Sequence, residues 1–409
     1  MKILLVAQHY PPETARGGIG TQTWNKAHAF AELGHEVHVL SCSNDGHLSV
    51  RVTDAGITVY RIPSPGDERG REFPVYGDAA YWLGYTWNLL PELNRLMETV
   101  GPDVIDFPDY GAEGFAYLLD RSPGNWAPVV VQLHAPLGLL AEHMGWPEPG
   151  AFLDVGTFME STAIRLADGL TACSANIADF VAQRYGVDRE AIDVVYTSVD
   201  AEAFRPAENG RRHGGRPTVL FVGNLAASKG VETVLDAVLR LRPRYPDILL
   251  RIAGPEEGLS ADLAERARDA GADANVELTG FVGRERLPEL YRQADVFCSP
   301  ALYEGGVATV FCEAMACGVP VIGSTAGGTP EAVVEGETGL LVPPVDAEAV
   351  AGALDRILGD DDLRQHMGKA ARLRAESVFS IERCVDRILG SYERAIERSR
   401  AKQAEAELR

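Results

Sequence analysis

Ser299-Pro300-Ala301-Leu302-Tyr303-Glu304-Gly305-Gly306-Val307-Ala308-Thr309-Val310-Phe311-Cys312-Glu313-Ala314-Met315-Ala316-Cys317-Gly318-Val319-Pro320-Val321-Ile322 reads as the end of a strand, a glycine loop, an apolar helix, a glycine stop and a second strand. Two strands joined through a helix are parallel, so the stretch is a βαβ unit. The same rhythm continues around it. Strands are expected at Thr218–Gly223, Ile248–Ala253, Val276–Gly280 and Val319–Gly323, and Val231, Val234, Leu235, Val238 and Leu239 mark one face of a helix. In the first half, strand Ile3–Ala7 precedes a helix with Trp24, Ala27, Phe30, Ala31 and Leu33 on one face, a stop at Gly34 and strand Val37–Leu40. Val104–Phe107, Val129–Leu133, Gly169–Ala172 and Ile192–Tyr196 are further buried-strand candidates.

Between the two series, Arg205–Pro217 has the glycine, proline and charge content of a linker. The expected architecture is α/β, with two doubly wound Rossmann-like domains facing across a cleft. Residues 1–205 form the first domain, 206–217 the linker, and 218–380 the second domain. Residues 381–409 form a C-terminal helix able to pack back on the first domain, with a solvated tail. Open α/β sheets bind ligands at the carboxyl ends of their strands, so the loops there are where chemistry is sought.

The chain has 409 residues, and its 38 Lys and Arg against 59 Asp and Glu give a formal net charge of −21. Residues 1–210 hold 13 of the basic and 28 of the acidic residues. That excludes a broadly basic nucleic-acid surface and argues against electrostatic docking on anionic lipid, while leaving open peripheral membrane contact through a local patch. No run of about 18 apolar residues encodes a membrane span. The opening Met1–Ala7 reads as a strand and not as a signal peptide. Cys42, Cys173, Cys298, Cys312, Cys317 and Cys384 form no C-x-x-C pair and no zinc spacing. Reduced thiols and a cytoplasmic location are the expectation.

Gly223-Asn224-Leu225-Ala226-Ala227-Ser228-Lys229-Gly230 lies between a strand and an amphipathic helix, where helix-start N–H groups and the Lys229 ammonium suit a phosphate. Ser228 and Gly230 depart from a Walker A loop and remove its magnesium-binding hydroxyl, which argues against an NTPase. In the opening stretch, Gly305 and Gly306 allow backbone N–H groups to approach an anion, and Glu304 and Glu313 can accept hydrogen bonds from hydroxyls. Phosphates plus hydroxyls describe a nucleotide sugar. Glu313 in an apolar helix also fits a structural role in a salt bridge, since an interior Glu needs a partner. Tyr81, Trp82, Tyr85 and Trp87 form an aromatic cluster suited to helix packing or to an acceptor. Asp109, in the loop after Val104–Phe107, is a further acceptor candidate. Asp360-Asp361-Asp362 reads as a helix cap, and no metal site is recognised.

With Glu304, the glycine loop, Glu313 and Ala314-Met315-Ala316-Cys317-Gly318-Val319-Pro320-Val321-Ile322, the sequence resembles the family-4 retaining glycosyltransferases of the GT-B fold. The resemblance spans nearly the whole chain, including Pro11-Pro12 through Gly17-Gly18-Ile19-Gly20, Ala167–Ser174 and Val199–Pro206. It implies that Lys229 contacts the donor diphosphate, Glu313 the nucleotide ribose and Glu304 the transferred sugar. It places Gly17 and Gly18 against the phosphates, His134 at the sugar, and Phe281 and Val282 beside the base. Gly305, Gly306 and Val307 complete the donor loop. Two positions depart from the pattern. Asn224 stands where the family usually has Arg, and Glu304 and Glu313 are nine positions apart, one more than is usual.

The expected activity is transfer of a sugar from a nucleotide diphosphate sugar to a hydroxyl acceptor, in a polysaccharide, a glycolipid or a small metabolite. Retention and a metal-independent, hexosyltransferase-like reaction follow from the resemblance, with no cofactor beyond the nucleotide-sugar co-substrate. The alternatives are another GT-B enzyme, such as a nucleotide-sugar epimerase or sugar phosphorylase, and a catalytically silent nucleotide-sugar-binding protein.

Overall fold

The computed structural model describes residues 1–13, 17–43, 46–63, 78–207, 215–255 and 258–407, so 208–214 of the expected linker lie outside the described residues. The chain divides into two compact units, Met1–Tyr196 with Ile381–Arg409, and Thr197–Ser380.

Unit 1 runs β1 (Lys2–Val6), α1 (Gly17–Glu32), β2 (Glu36–Ser43), β3 (Ser49–Val52), β4 (Thr58–Pro63), α2 (Asp78–Thr99), β5 (Val104–Pro108), α3 (Phe115–Asp120), β6 (Val129–Leu133), α4 (Leu137–Met144), α5 (Ala151–Leu166), β7 (Gly169–Ala172), α6 (Ala175–Tyr185) and β8 (Ile192–Val194). Among the described residues these strands make one sheet, ordered β3-β4-β2-β1-β5-β6-β7-β8. All its pairs are parallel except β3 with β4. β1, β5 and β6 are buried nearly throughout, as strands covered on both faces must be. The β3–β4 hairpin is an addition to the strands read from the sequence. Every residue of β3 is exposed, so it lacks the apolar run by which the buried strands were recognised.

Unit 2 runs β9 (Thr218–Val222), α7 (Val231–Leu241), β10 (Leu249–Ala253), α8 (Ser260–Asp269), β11 (Val276–Gly280), α9 (Leu287–Arg292), β12 (Val296–Ser299), α10 (Thr309–Ala316), β13 (Val321–Ser324), α11 (Thr329–Ala332), β14 (Gly339–Val342), α12 (Ala347–Leu358) and α13 (Asp361–Arg374). Its sheet is ordered β11-β10-β9-β12-β13-β14 and is parallel throughout. Val231, Val234, Leu235 and Val238 of α7 are fully buried against Val219, Phe221 and Ile252 of the sheet. Asp360 caps α13 by accepting from the Leu363 N–H at 2.9 Å.

Residues 197–205, placed with the first domain from the sequence, belong to unit 2. Val199 N–H donates to the Phe379 carbonyl at 2.8 Å and pairs with Ser380. The Arg372 guanidinium donates to the carbonyls of Ala201, Phe204 and Ala316.

The final helix, α14 (Ile381–Glu407), belongs to unit 1. Cys384, Val385, Ile388, Tyr392 and Ala395 share a core with Ile3 and Leu5 of β1, Phe30 of α1 and Val130 of β6. Ala395 packs so closely on β7 that a Cβ at Gly169 would lie 2.8 Å from its own. A buried polar network fixes this packing. Lys26 Nζ donates to Asp106 Oδ2 at 3.0 Å and to Gln132 Oε1 at 2.6 Å, and the Tyr392 hydroxyl also donates to Asp106. Lys26 and Asp106 are both buried, so removing one leaves the other uncompensated. Lys26→Met is expected to lower the stability of the chain by about 3 kcal/mol in chemical denaturation. Removing both charges, in Lys26→Met with Asp106→Leu, is expected to restore part of the loss; a single variant as stable as the parent would contradict the account.

Candidate functional site

In unit 2 the strand order reverses between β9 and β12: β10 follows β9 on one side, and β12 lies on the other. In open α/β sheets the loops leaving two such strands at their carboxyl ends are where ligands bind. The loop after β9 ends in a 3-10 turn, Ala227–Lys229, followed by Gly230 at φ 75°, which opens α7. A Cβ on Gly230 would lie 2.6 Å from the Pro300 carbonyl oxygen, so this loop rests on the start of the loop after β12. Leu302 N–H then donates to the Ser228 carbonyl at 2.8 Å. This lacing brings the Lys229 ammonium onto Glu304 Oε1 as an ion pair.

Glu304 is fixed through its backbone as well. Gly328 N–H donates to the Glu304 carbonyl at 2.7 Å. A Cβ on Gly327 would lie 1.9 Å from that same oxygen, and one on Gly328 would lie 2.7 Å from the Gly306 carbonyl carbon. The pair Gly327-Gly328 thus allows two backbones to touch, a role the sequence reading missed. A glycine pair just beyond a buried strand was the available signal. Gly305, Gly306 and Val307 follow in the loop, Val307 buried, and lead into α10, whose Ala308 N-cap offers no side-chain acceptor to the first N–H groups.

Glu313 lies inside α10 and is buried. Its Oε2 accepts from the Tyr291 hydroxyl at 2.9 Å. Burial pushes its pKa up to about 7, against the opposing pull of Tyr291 and the Arg284 guanidinium. The buried hydrogen-bond partner of Glu313 is thus a neutral hydroxyl, with the Arg284 guanidinium acting on it through its charge. Tyr291 and Arg284 were not singled out from the sequence, since nothing local links them to Glu313. Phe281 is 70% exposed and Val282 half-buried, just beyond β11. Asn224 is exposed, beside Gly223, whose carbonyl oxygen would be 2.2 Å from a Cβ on Gly254. Unit 2 thus offers here the Lys229 ammonium, the Arg284 guanidinium, two carboxylates and a glycine-walled loop of backbone.

In unit 1 the reversal falls between β1 and β5. Gly17 and Gly18 open α1, both exposed, and among the described residues neither would bring a Cβ within 4 Å of another atom. His134 follows β6 and its N–H donates to Asp109 Oδ1 at 2.8 Å; the Ala135 N–H reaches Asp109 Oδ2 at 3.3 Å. Asp109 is buried and sits beneath the His134 turn, holding it in place. Its pKa is raised to about 6 because desolvation outweighs these N–H contacts. Desolvation and the nearby Lys26 ammonium hold His134 down at about 3, so its ring is neutral at physiological pH. Glu160, fully buried, accepts from Leu137 N–H at 2.8 Å and braces the other end of the same turn.

Tyr85 is buried, so its ring is part of the packing of α2. Tyr81 is half-buried and its hydroxyl receives a hydrogen bond from Gln8 Nε2. Trp82 packs with Phe115, Leu137 and Met159, whereas Trp87 is exposed. Beneath Gln8 lies Glu113, which the sequence reading did not single out. Its Oε1 accepts from Gln8 N–H at 3.0 Å, and its Oε2 is buried with no hydrogen-bond partner among the described residues.

Burial pushes Glu113 up to about 8, from 4.5 when solvated. The folded chain then keeps a proton that the unfolded chain releases near pH 4.5, so stability falls as pH rises from about 4.5 to 8. Glu113→Gln imitates the neutral acid. Between pH 6 and pH 8 its melting temperature is expected to fall less than that of the parent; an equal fall would mean that Glu113 is ionised in the folded protein.

No described helix is long and apolar enough to cross a membrane. Residues 206–374 match the family described as Glycosyl transferases group 1, and residues 16–203 match Glycosyltransferase Family 4. The chain is 31% identical over 391 residues to a glycogen synthase of Mycobacterium tuberculosis, covering 93% of this chain and 91% of the relative. It is 32% identical to D-inositol 3-phosphate glycosyltransferase 1 of Catenulispora acidiphila, covering 94% and 93%. Among solved structures, sucrose-phosphate synthase from Thermosynechococcus elongatus superposes with a TM-score of 0.81 at 20% identity, covering 97% of this chain and 99% of that one. Anabaena HepE in complex with UDP-glucose superposes with a TM-score of 0.72 at 19% identity, covering 96% and 99%. These likenesses extend over both units and confirm the two-domain α/β architecture of the GT-B fold.

Proposed function

The chain belongs to the group 1, family 4 glycosyl transferases and is a glycosyltransferase; from that premise we propose that it moves a sugar from a nucleoside diphosphate sugar to a hydroxyl acceptor, with retention and without a metal ion. The observation that carries the reading is the Lys229–Glu304 ion pair at the β9/β12 reversal. It sets a cation suited to a diphosphate beside a carboxylate suited to sugar hydroxyls. The HepE complex with UDP-glucose is in keeping with that donor class.

In this reading the diphosphate lies against Lys229 and the backbone N–H groups from Gly305 into α10. As the bond to the sugar breaks, negative charge grows on the departing phosphate, and these fixed donors stabilise it without reorganising. Lys229 takes the neutralising role that magnesium has in other transferases. Glu304 accepts from hydroxyls of the transferred sugar and Glu313 from the ribose, while Phe281 and Val282 flank the base. From unit 1, Gly17 and Gly18 contribute to phosphate binding. His134 contributes a neutral ring, which offers one donor and one acceptor and no charge. The acceptor hydroxyl attacks from the side of the leaving group, its proton passes to a phosphate oxygen, and configuration at the sugar carbon is retained. Asp109 acts on the reaction by positioning His134.

The test is calorimetric titration with UDP, GDP and ADP in the presence of a chelator. One of them is expected to bind at one site per chain. Lys229→Ala is expected to weaken that binding by about 2 kcal/mol, the value of a charge-assisted contact. Binding that requires added metal, or a folded Lys229→Ala variant of unchanged affinity, would contradict the reading.

A further inference from the structure

One edge of unit 1 carries a cavity of about 360 Å³ that none of the proposed chemistry uses. It opens between the Pro11–Glu13 turn after β1, one face of α1, and the β3–β4 hairpin. Its apolar wall is aromatic. Trp24 and His28 are one helical turn apart, with ring centroids separated by 3.9 Å, and Tyr10 lies 5.5 Å from Trp24. His28 Nδ1 is 2.9 Å from the Trp24 carbonyl oxygen, which holds the imidazole against the indole. Both rings are half-buried, so part of each is left uncovered.

The rim is polar and balanced in charge. Glu13, Arg51 and Asp54 are exposed around the opening, with Arg61 buried beneath them. The Arg61 guanidinium donates to the carbonyls of Cys42 and Tyr10, each at 2.9 Å, and its Nε lies 2.8 Å from Glu13. This buried cation therefore fixes the turn after β1 against the sheet and sets the position of the Glu13 carboxylate.

We propose that this cavity binds a neutral saccharide. Two carboxylates at the rim disfavour an anion, and two guanidinium groups disfavour an amine. A neutral polyol meets both, because each hydroxyl can donate to a carboxylate and accept from a guanidinium. The weakly positive C–H face of a pyranose also complements the negative face of the indole. The volume lies at the lower end of the range for small-molecule pockets and suits a disaccharide-sized ligand. Trp24 is seven residues along α1 from Gly17, about 10 Å by helical rise. A glycan held here is thus on the helix that carries the proposed phosphate loop of unit 1. The inference rests on the transferase reading only in expecting a saccharide as the neutral polyol.

The experiment is calorimetric titration of the full chain, free of nucleotide, with maltoheptaose, cellohexaose, mannohexaose and xylohexaose. At least one is expected to bind. Trp24→Ala should weaken that binding about tenfold, and Arg51→Ala and Asp54→Ala about threefold each, with nucleoside diphosphate affinity unchanged. Arg51 and Asp54 are exposed, so they carry the test even if Trp24→Ala fails to fold. Saccharide binding that survives the substitutions overturns the proposal, as does absence of saccharide binding in a chain that binds a nucleoside diphosphate. If the chain binds neither class of ligand, both the cavity and the donor reading fall. Binding of saccharide through Trp24 without any nucleoside diphosphate supports the cavity and counts against the donor reading alone.

Discussion

Lys229 and Glu304 are 75 residues apart in sequence, and only the lacing of two loops at one sheet reversal makes them an ion pair. The lacing depends on backbone. Gly230 lies where a Cβ would meet Pro300, and Gly327 and Gly328 lie where one would meet Glu304 and Gly306. Side chains at these positions would push the strand-end loops apart. The parallel sheet below provides the fixed frame, and the glycines allow the close approach. The proposed donor chemistry needs both, because donors fixed in advance stabilise developing charge better than groups that must move to reach it.

Unit 1 is organised by burial of charge. Its terminal helix is tied to the sheet by Tyr392 on Asp106, and that carboxylate is balanced by Lys26. Asp109, Glu113 and Glu160 lie buried around the carboxyl ends of β1, β5 and β6, and all three are pushed above the usual carboxylate range by desolvation. Each accepts from a backbone N–H: His134 and Ala135 for Asp109, Gln8 for Glu113, Leu137 for Glu160. The acids thus set the shape of the loops at the strand ends, at a cost in desolvation that evenly apolar residues would avoid. Polar strain of this kind is characteristic of sites rather than of cores.

Most of the parallel strands were legible because each is a short apolar run bounded by glycine or polar residues, and α7 because its apolar residues repeat at helical spacing; β4 and β14, also parallel, were not read as strands. The exposed strand Ser49–Val52 carried no such signal. The boundary between the units was displaced for a related reason. Residues 197–205 look like the tail of the first domain, but their hydrogen bonds go to Phe379 and Arg372, some 170 residues further on. Lys229 and Glu304 drew attention because each stands beside a glycine after a strand, and Glu313 because a carboxylate inside an apolar helix needs a partner. Glu113 and Tyr291 could not be assigned roles, because what they do is defined by partners distant in sequence. Tyr85, open to either packing or an acceptor role in the sequence, is enclosed by the fold.

The central claim is that the laced loops of unit 2 are the nucleotide site. Hydrogen exchange of the backbone amides tests it most directly, recorded for the intact chain with and without a saturating nucleoside diphosphate in the absence of metal. The account predicts slowed exchange in residues 223–231, 302–310 and 327–329, the segments that meet at the β9/β12 reversal. Exchange unchanged in all three segments, with protection elsewhere in the chain, would contradict it.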